Sequence, residues 1–138
     1  MLLCDAAQEQ GGKLYIIGGG WSIRSADVMS PMAVALKIEV PWDATNKPIQ
    51  FELRLLTGDG EPVMAPGPAG PTPVAVGGEF EVGRPPGIKH GTSLDVPMAL
   101  GFVGVPLVAD QRYEFRLKID DKEEEDWRVA FSTRPAGQ

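Results

Sequence analysis

The sequence predicts an all-β fold, a single antiparallel β-sandwich of about 7–9 strands with little or no helix. Three observations predict it. Apolar side chains recur with a period of two in segment after segment, as on strands with one face in a core and the other in water. No stretch of about 10–12 residues holds the 3.6 period of a helix. Seventeen Gly and thirteen Pro interrupt the pattern at short intervals, as turns between short strands require. The chain of 138 residues reads as one domain over residues 1–138.

Residues 2–7 form a short apolar run, a strand that starts the fold at once. Residues 8–12 are a turn and 13–17 a second strand, so the two form a hairpin. Gly18-Gly19-Gly20 predicts a bulge or bend where another backbone or a large ring comes close, with Trp21 as that ring. Residues 25–31 are a loop. Met32, Val34, Leu36, Ile38 and Val40 then alternate with Ala33, Ala35, Lys37 and Glu39, the longest clean alternation in the chain. Pro41 ends that strand, and residues 42–48 make a polar connection.

Phe51, Leu53 and Leu55 mark the next strand, closed by the Gly58-Asp59-Gly60 turn. Residues 61–73 carry prolines at 62, 66, 68, 71 and 73, each removing a ladder donor, so this is an extended surface loop. A weaker strand over 74–82 is broken by Gly77-Gly78, and residues 83–91 form a second Pro/Gly-rich loop. Leu94, Val96, Met98 and Leu100 alternate again, with Pro97 arguing for an edge strand or a bulge. The chain closes on a hairpin. Tyr113, Phe115, Leu117 and Ile119 alternate with charged residues, an acidic turn spans 120–126, and a last strand runs over 127–133.

Leu3-Cys4-Asp5-Ala6-Ala7, the segment Gly12-Lys13-Leu14-Tyr15-Ile16-Ile17-Gly18-Gly19 and the later Tyr113-x-Phe-x-Leu-x-Ile-Asp120 carry a resemblance across nearly the whole chain. The sequence resembles a family of small uncharacterised bacterial proteins. In that family an early alanine/aspartate strand leads into a Gly-Lys-Leu-x-Ile-x-Gly strand, and a Tyr-x-Phe-x-Val-x-Val-Asp-Gly hairpin closes the chain. The resemblance implies an immunoglobulin-like sandwich and no assigned activity, with no functional residues to carry over. This sequence departs from the family in the proline-rich stretch after Gly60 and in Asp121, where the family often has glycine.

Composition excludes several functions. A formal charge of −6, with no long Lys/Arg cluster, disfavours nucleic acid and anionic membranes as partners. No apolar run reaches the roughly 18–20 residues of a membrane span. Cys4 is the only cysteine, so no internal disulfide forms, and its apolar run makes it a core residue rather than a reactive thiol. Met1-Leu2-Leu3-Cys4 resembles a lipoprotein cleavage site, but no basic leader precedes it. The expectation is a cytoplasmic protein, or part of an assembly formed in the cytoplasm.

Catalytic signatures are weak. His90 is the sole histidine and sits in a Pro/Gly loop; no Gly-x-Ser-x-Gly elbow accompanies Ser22, Ser25 or Ser93. The triple glycine lacks the Lys-Ser/Thr of a phosphate loop. Six carboxylates between Asp120 and Asp126 could attract a divalent cation, but they lack EF-hand spacing and read as a solvated hairpin tip. Trp127 and Trp21 read as core; Trp42, after Pro41 in a polar connection, is the best exposed aromatic for a binding surface.

The reading is therefore a non-enzymatic structural or protein-interaction module without a cofactor or metal, binding a protein partner or itself. A component of a larger assembly such as a phage particle belongs to this class. The alternative is a sandwich that binds a carbohydrate or a divalent cation. The expected contact surface joins Trp42 to Pro66, Pro68 and Pro71 of the first loop and to Arg84, Pro85 and Pro86 of the second.

Overall fold

The structure, a computed structural model, describes residues 1–27 and 29–137; Val28, within the expected 25–31 loop, and Gln138, the last residue of the expected domain, lie outside them. It is all-β. Among the described residues eleven strands are present, three of them only two residues long, and the only helical turn is a 3-10 turn at Trp42–Ala44. In order they are β1 Leu2–Gln10, β2 Lys13–Gly19, β3 Ile23–Arg24, β4 Met32–Val40, β5 Pro48–Thr57 and β6 Met64–Ala65. Then come β7 Thr72–Pro73, β8 Ala75–Glu81, β9 Leu94–Phe102, β10 Arg112–Ile119 and β11 Lys122–Thr133.

One sheet has the order β2-β1-β4-β9, a second β3-β11-β10-β5-β8, and β6-β7 is a small ribbon. Alternation decides which faces meet. Met32, Val34, Leu36, Ile38 and Val40 of β4 join Leu53 and Leu55 of β5, Tyr113, Phe115 and Leu117 of β10 and Phe131 of β11 in one buried cluster shared by both sheets. Phe115 is its centre. Its ring lies 5.1 Å from Phe102 of the other sheet and 6.0 Å from Phe131 beside it. On the opposite face of the second sheet Arg54, Arg116 and Arg128 stand in a row across three strands. Like charges directly opposite repel. Here Glu123 and Glu52 pair with Arg54, and Glu114 with Arg116.

The pairing departs from the wholly antiparallel one that the sequence predicts. The glycines at 18 and 20 adopt positive φ and carry the chain out of the first sheet, and β3 then pairs in parallel with Ser132 and Thr133 of β11. Trp21, at this crossing, packs edge-on against Phe131 at 5.6 Å, whereas the expected ring over the triple glycine is absent: the atoms nearest Gly18 and Gly19 belong to Asp5, Ile16, Leu2 and Cys4.

Turn positions differ from the expected ones for a local reason. β1 runs on to Gln10, and the hairpin closes on Gly11-Gly12 alone, both at positive φ as a tight two-residue turn requires. The closing hairpin likewise turns on Asp120-Asp121, at φ 48° and 64°, so Lys122 to Asp126 belong to β11 rather than to a broad acidic turn. Aspartate tolerates this left-handed backbone better than most residues. Asp120 is further held by its carboxylate, which accepts the Gln50 N–H at 2.9 Å. The length of β11 is absorbed by a register shift opposite Arg116–Lys118.

The 61–73 segment is more ordered than an extended loop. Val63 and Val74 are buried, and the backbone bonds Leu55 N–H to Val74 C=O, Val63 N–H to Leu55 C=O and Val74 N–H to Val63 C=O tie it to β5. β9 is an edge strand, which accommodates Pro97 as the sequence suggested.

The first sheet is curled, and small residues are the cause. Ala33 and Ala35, on the face of β4 away from the main core, are buried against Cys4, with Ala7 and Leu14 of the hairpin packed over them. The β1–β2 hairpin thereby folds back toward β9.

Two outcomes test this architecture. Phe115→Ala removes the ring that joins the sheets and is expected to cost about 3–5 kcal/mol in denaturant unfolding. Tyr113→Phe keeps the ring but leaves the Val108 N–H, which donates to the Tyr113 hydroxyl at 2.7 Å, without its partner, at about 1–3 kcal/mol.

Candidate interaction surface

The strand register divides the expected surface in two. Trp42 follows the end of β4, where Val40 pairs with Leu94, and lies at the end of the fold that also holds Pro48 and Glu81. Pro66, Pro68 and Pro71 lie beyond Thr57 and Ala75, at the opposite end, where Pro66 and Pro68 share a cleft with Phe102 and the exposed Val103. Both loops sit at sheet ends, but antiparallel strands of seven to ten residues separate them. They form no common surface.

Trp42 and the second loop do meet. The Arg84 guanidinium carbon lies 4.1 Å from the Trp42 ring centre, and the His90 ring packs at 4.8 Å, tilted by 50°. Arg84 donates from Nη2 to the Trp42 carbonyl at 2.9 Å and from Nε to the Thr45 hydroxyl at 2.6 Å. The buried Thr45 hydroxyl in turn donates to the same Trp42 carbonyl at 2.6 Å. Thus the indole is half-buried and occupied by its own neighbours. It anchors the loop, and is not the free aromatic face expected from the sequence; Pro85 and Pro86 remain exposed beside it. His90, expected as a solvated loop residue, is exposed yet stacked.

Other candidates fall into place. Cys4 is fully buried with its thiol 3.4 Å from the Ala33 carbonyl, and burial, aided by the Asp5 carboxylate, pushes its pKa above the ordinary thiol value. Among the described residues no three His, Cys, Asp or Glu side chains converge so as to hold a metal ion. No helix among them is long and apolar enough to cross a membrane.

The surface that the sequence reading missed is β2. It is the outer strand of the first sheet, and Tyr15, Ile16 and Ile17 are 54%, 40% and 70% exposed. Leu2 extends the patch, since its side chain and that of Ile16 both reach over the bare Cα of Gly19. A signal was present: Leu14-Tyr15-Ile16-Ile17 is apolar at consecutive positions, so neither face of this strand is polar. That pattern ordinarily marks a strand covered on both sides. Here the outer face, with Tyr15 and Ile17, is left uncovered by the described residues.

The other sheet-edge strands carry protection. β9 has Pro97 in its middle, β8 has Gly77-Gly78 followed by Glu79 and Glu81, and β3 is two residues long. Proline, charge and shortness all blunt edge pairing. β2 has a single charge, Lys13, at its start, and its glycines, Gly18 and Gly19, fall at its end, leaving Leu14 to Ile17 uninterrupted.

Two measurements follow. Arg84→Ala removes both hydrogen bonds and the ring contact, and is expected to lower stability by about 1 kcal/mol and to red-shift tryptophan emission. Native protein is expected to leave Cys4 unmodified by a thiol reagent at neutral pH, with full reaction on unfolding.

Neither a curated protein nor a solved structure matches the chain. A family profile does: residues 1–131 match the Family of unknown function (DUF6941), and the chain belongs to that family.

Proposed function

We propose that this protein is a non-enzymatic interaction or assembly module whose contact surface is the β2 edge. The scaffold behind that surface is read as an immunoglobulin-like sandwich. Its support is the strand order: β1-β4-β9 faces β11-β10-β5-β8, as the first, B and E strands face G, F, C and C′ in that architecture. The Tyr113 hydroxyl, which takes a backbone N–H from five residues upstream, matches the tyrosine corner at the start of strand F. The β1–β2 hairpin is an addition to this frame.

One observation carries the functional reading, namely that an apolar edge strand stands open while its counterparts are blunted. An exposed apolar edge is a template for pairing with another chain, and a protein that keeps one without a partner aggregates. The reading is tested by comparing what the wild-type chain and its Ile17→Lys variant retain when isolated from the cells that make them. Ile17 faces solvent, so the variant keeps the wild-type fold. The expected result is a stoichiometric protein component, another protein or a second copy, that the variant loses. Identical retention by both proteins would remove the β2 edge as the contact surface.

A further inference from the structure

We infer that the partner of β2 is β2 of a second copy, paired antiparallel about a two-fold axis through Ile16, so that two four-stranded sheets become one. The inference rests on the reading of β2 as a contact surface and names its occupant. A two-fold contact uses the same patch twice, so the patch must complement itself. In an antiparallel pair, opposite residues share a face, so a two-fold axis must pass through a residue position. Centring on Ile16 sets Ile16 against its own counterpart. It also sets Tyr15 against the second copy's Ile17, an aromatic against a β-branched side chain, twice over; such pairs stabilise sheets.

The charges agree with this register. Lys13 arrives opposite Gly19, next to Gly18, where the absent side chain leaves the Asp5 carboxylate lying close over the strand. No like charges oppose one another. Centring on Tyr15 instead would set the Lys13 ammonium against the exposed Ile17. The structure also argues against a different strand as the match. A second copy offers β9, β8 and β3 only as edges blunted by Pro97, by the charges of Glu79 and Glu81, or by length. The edge able to continue the β2 ladder is therefore β2 itself.

The test uses the full chain in light scattering across a concentration series, with single cysteines as register probes. The buried Cys4 stays in place, since it is closed to solvent. The wild type is expected to be a dimer that dissociates on dilution, and Ile16→Lys, which places two ammonium groups face to face, a folded monomer. Should Ile16→Lys fail to fold, Ile17→Lys at the 70% exposed position supplies the same readout. Under mild oxidant Ile16→Cys is expected to crosslink to itself, while Tyr15→Cys crosslinks only when mixed with Ile17→Cys. Self-crosslinking of Tyr15→Cys in preference to Ile16→Cys would overturn the register. A wild type that is monomeric throughout, with no Ile16→Cys crosslink, would overturn self-pairing. In that last case, loss of another protein by the Ile17→Lys variant leaves the interaction reading standing, and absence of any such loss removes both.

Discussion

The fold depends on the aromatic junction around Phe115. Its ring is wholly buried, meets Phe102 across the gap between the sheets, and lies within 6.0 Å of Phe131 on the neighbouring strand. Phe131 in turn stacks on Tyr113 at 5.5 Å and takes the edge of Trp21. Two β-sheets have no reason to face each other except the apolar area they hide, and aromatic rings hide the most per residue. The crossing of the chain from the first sheet to the second is pinned at the same place, because Trp21 rides on Phe131 while β3 pairs with the end of β11.

A second, smaller packing choice leaves a strand exposed. Cys4, Ala33 and Ala35 leave so little bulk on the far face of the first sheet that the β1–β2 hairpin can curl back and cover them with Ala7 and Leu14. The hairpin thus buries one side and leaves its outer edge, with Tyr15 and Ile17, in solvent. A larger side chain at Ala33 or Ala35 would push the hairpin away. Interior packing and an exposed apolar strand are in this way two results of the same small residues. Trp42 illustrates the converse: a ring that composition marks as a binding anchor is used internally, held by Arg84 and His90 to close a loop.

Much of the fold was legible residue by residue. The alternation through β4, β5 and β10 named the buried faces, and Met32, Val34, Leu53, Phe115 and Leu117 all lie in the core. Pro97 announced an edge, and Gly18 to Gly20 announced a bend. Turn limits were less legible, because Asp120-Asp121 adopts a backbone that glycine or asparagine would have signalled openly. The candidate surface was the least legible part. Prolines at 66, 68, 71, 85 and 86 look alike as loop residues, but the register sends the two loops to opposite ends. Nothing local distinguishes an apolar run that will be covered, as in β4, from one that will not, as in β2.

Taken alone, the amino-acid order determined that this chain is built of strands, which side chains β4, β5 and β10 hide, and that its formal net charge is −6. Those properties are written in the two-residue period and in net charge, which do not depend on what lies opposite. The tertiary structure decided that β3 crosses to the second sheet, that Trp42 is enclosed, and that β2 rather than any loop stands open. Each of these depends on which strand becomes whose neighbour. Neighbours are chosen by contacts between residues as far apart as Trp21 and Phe131, and a strand carries the same pattern whether it ends up at a sheet's centre or at its margin.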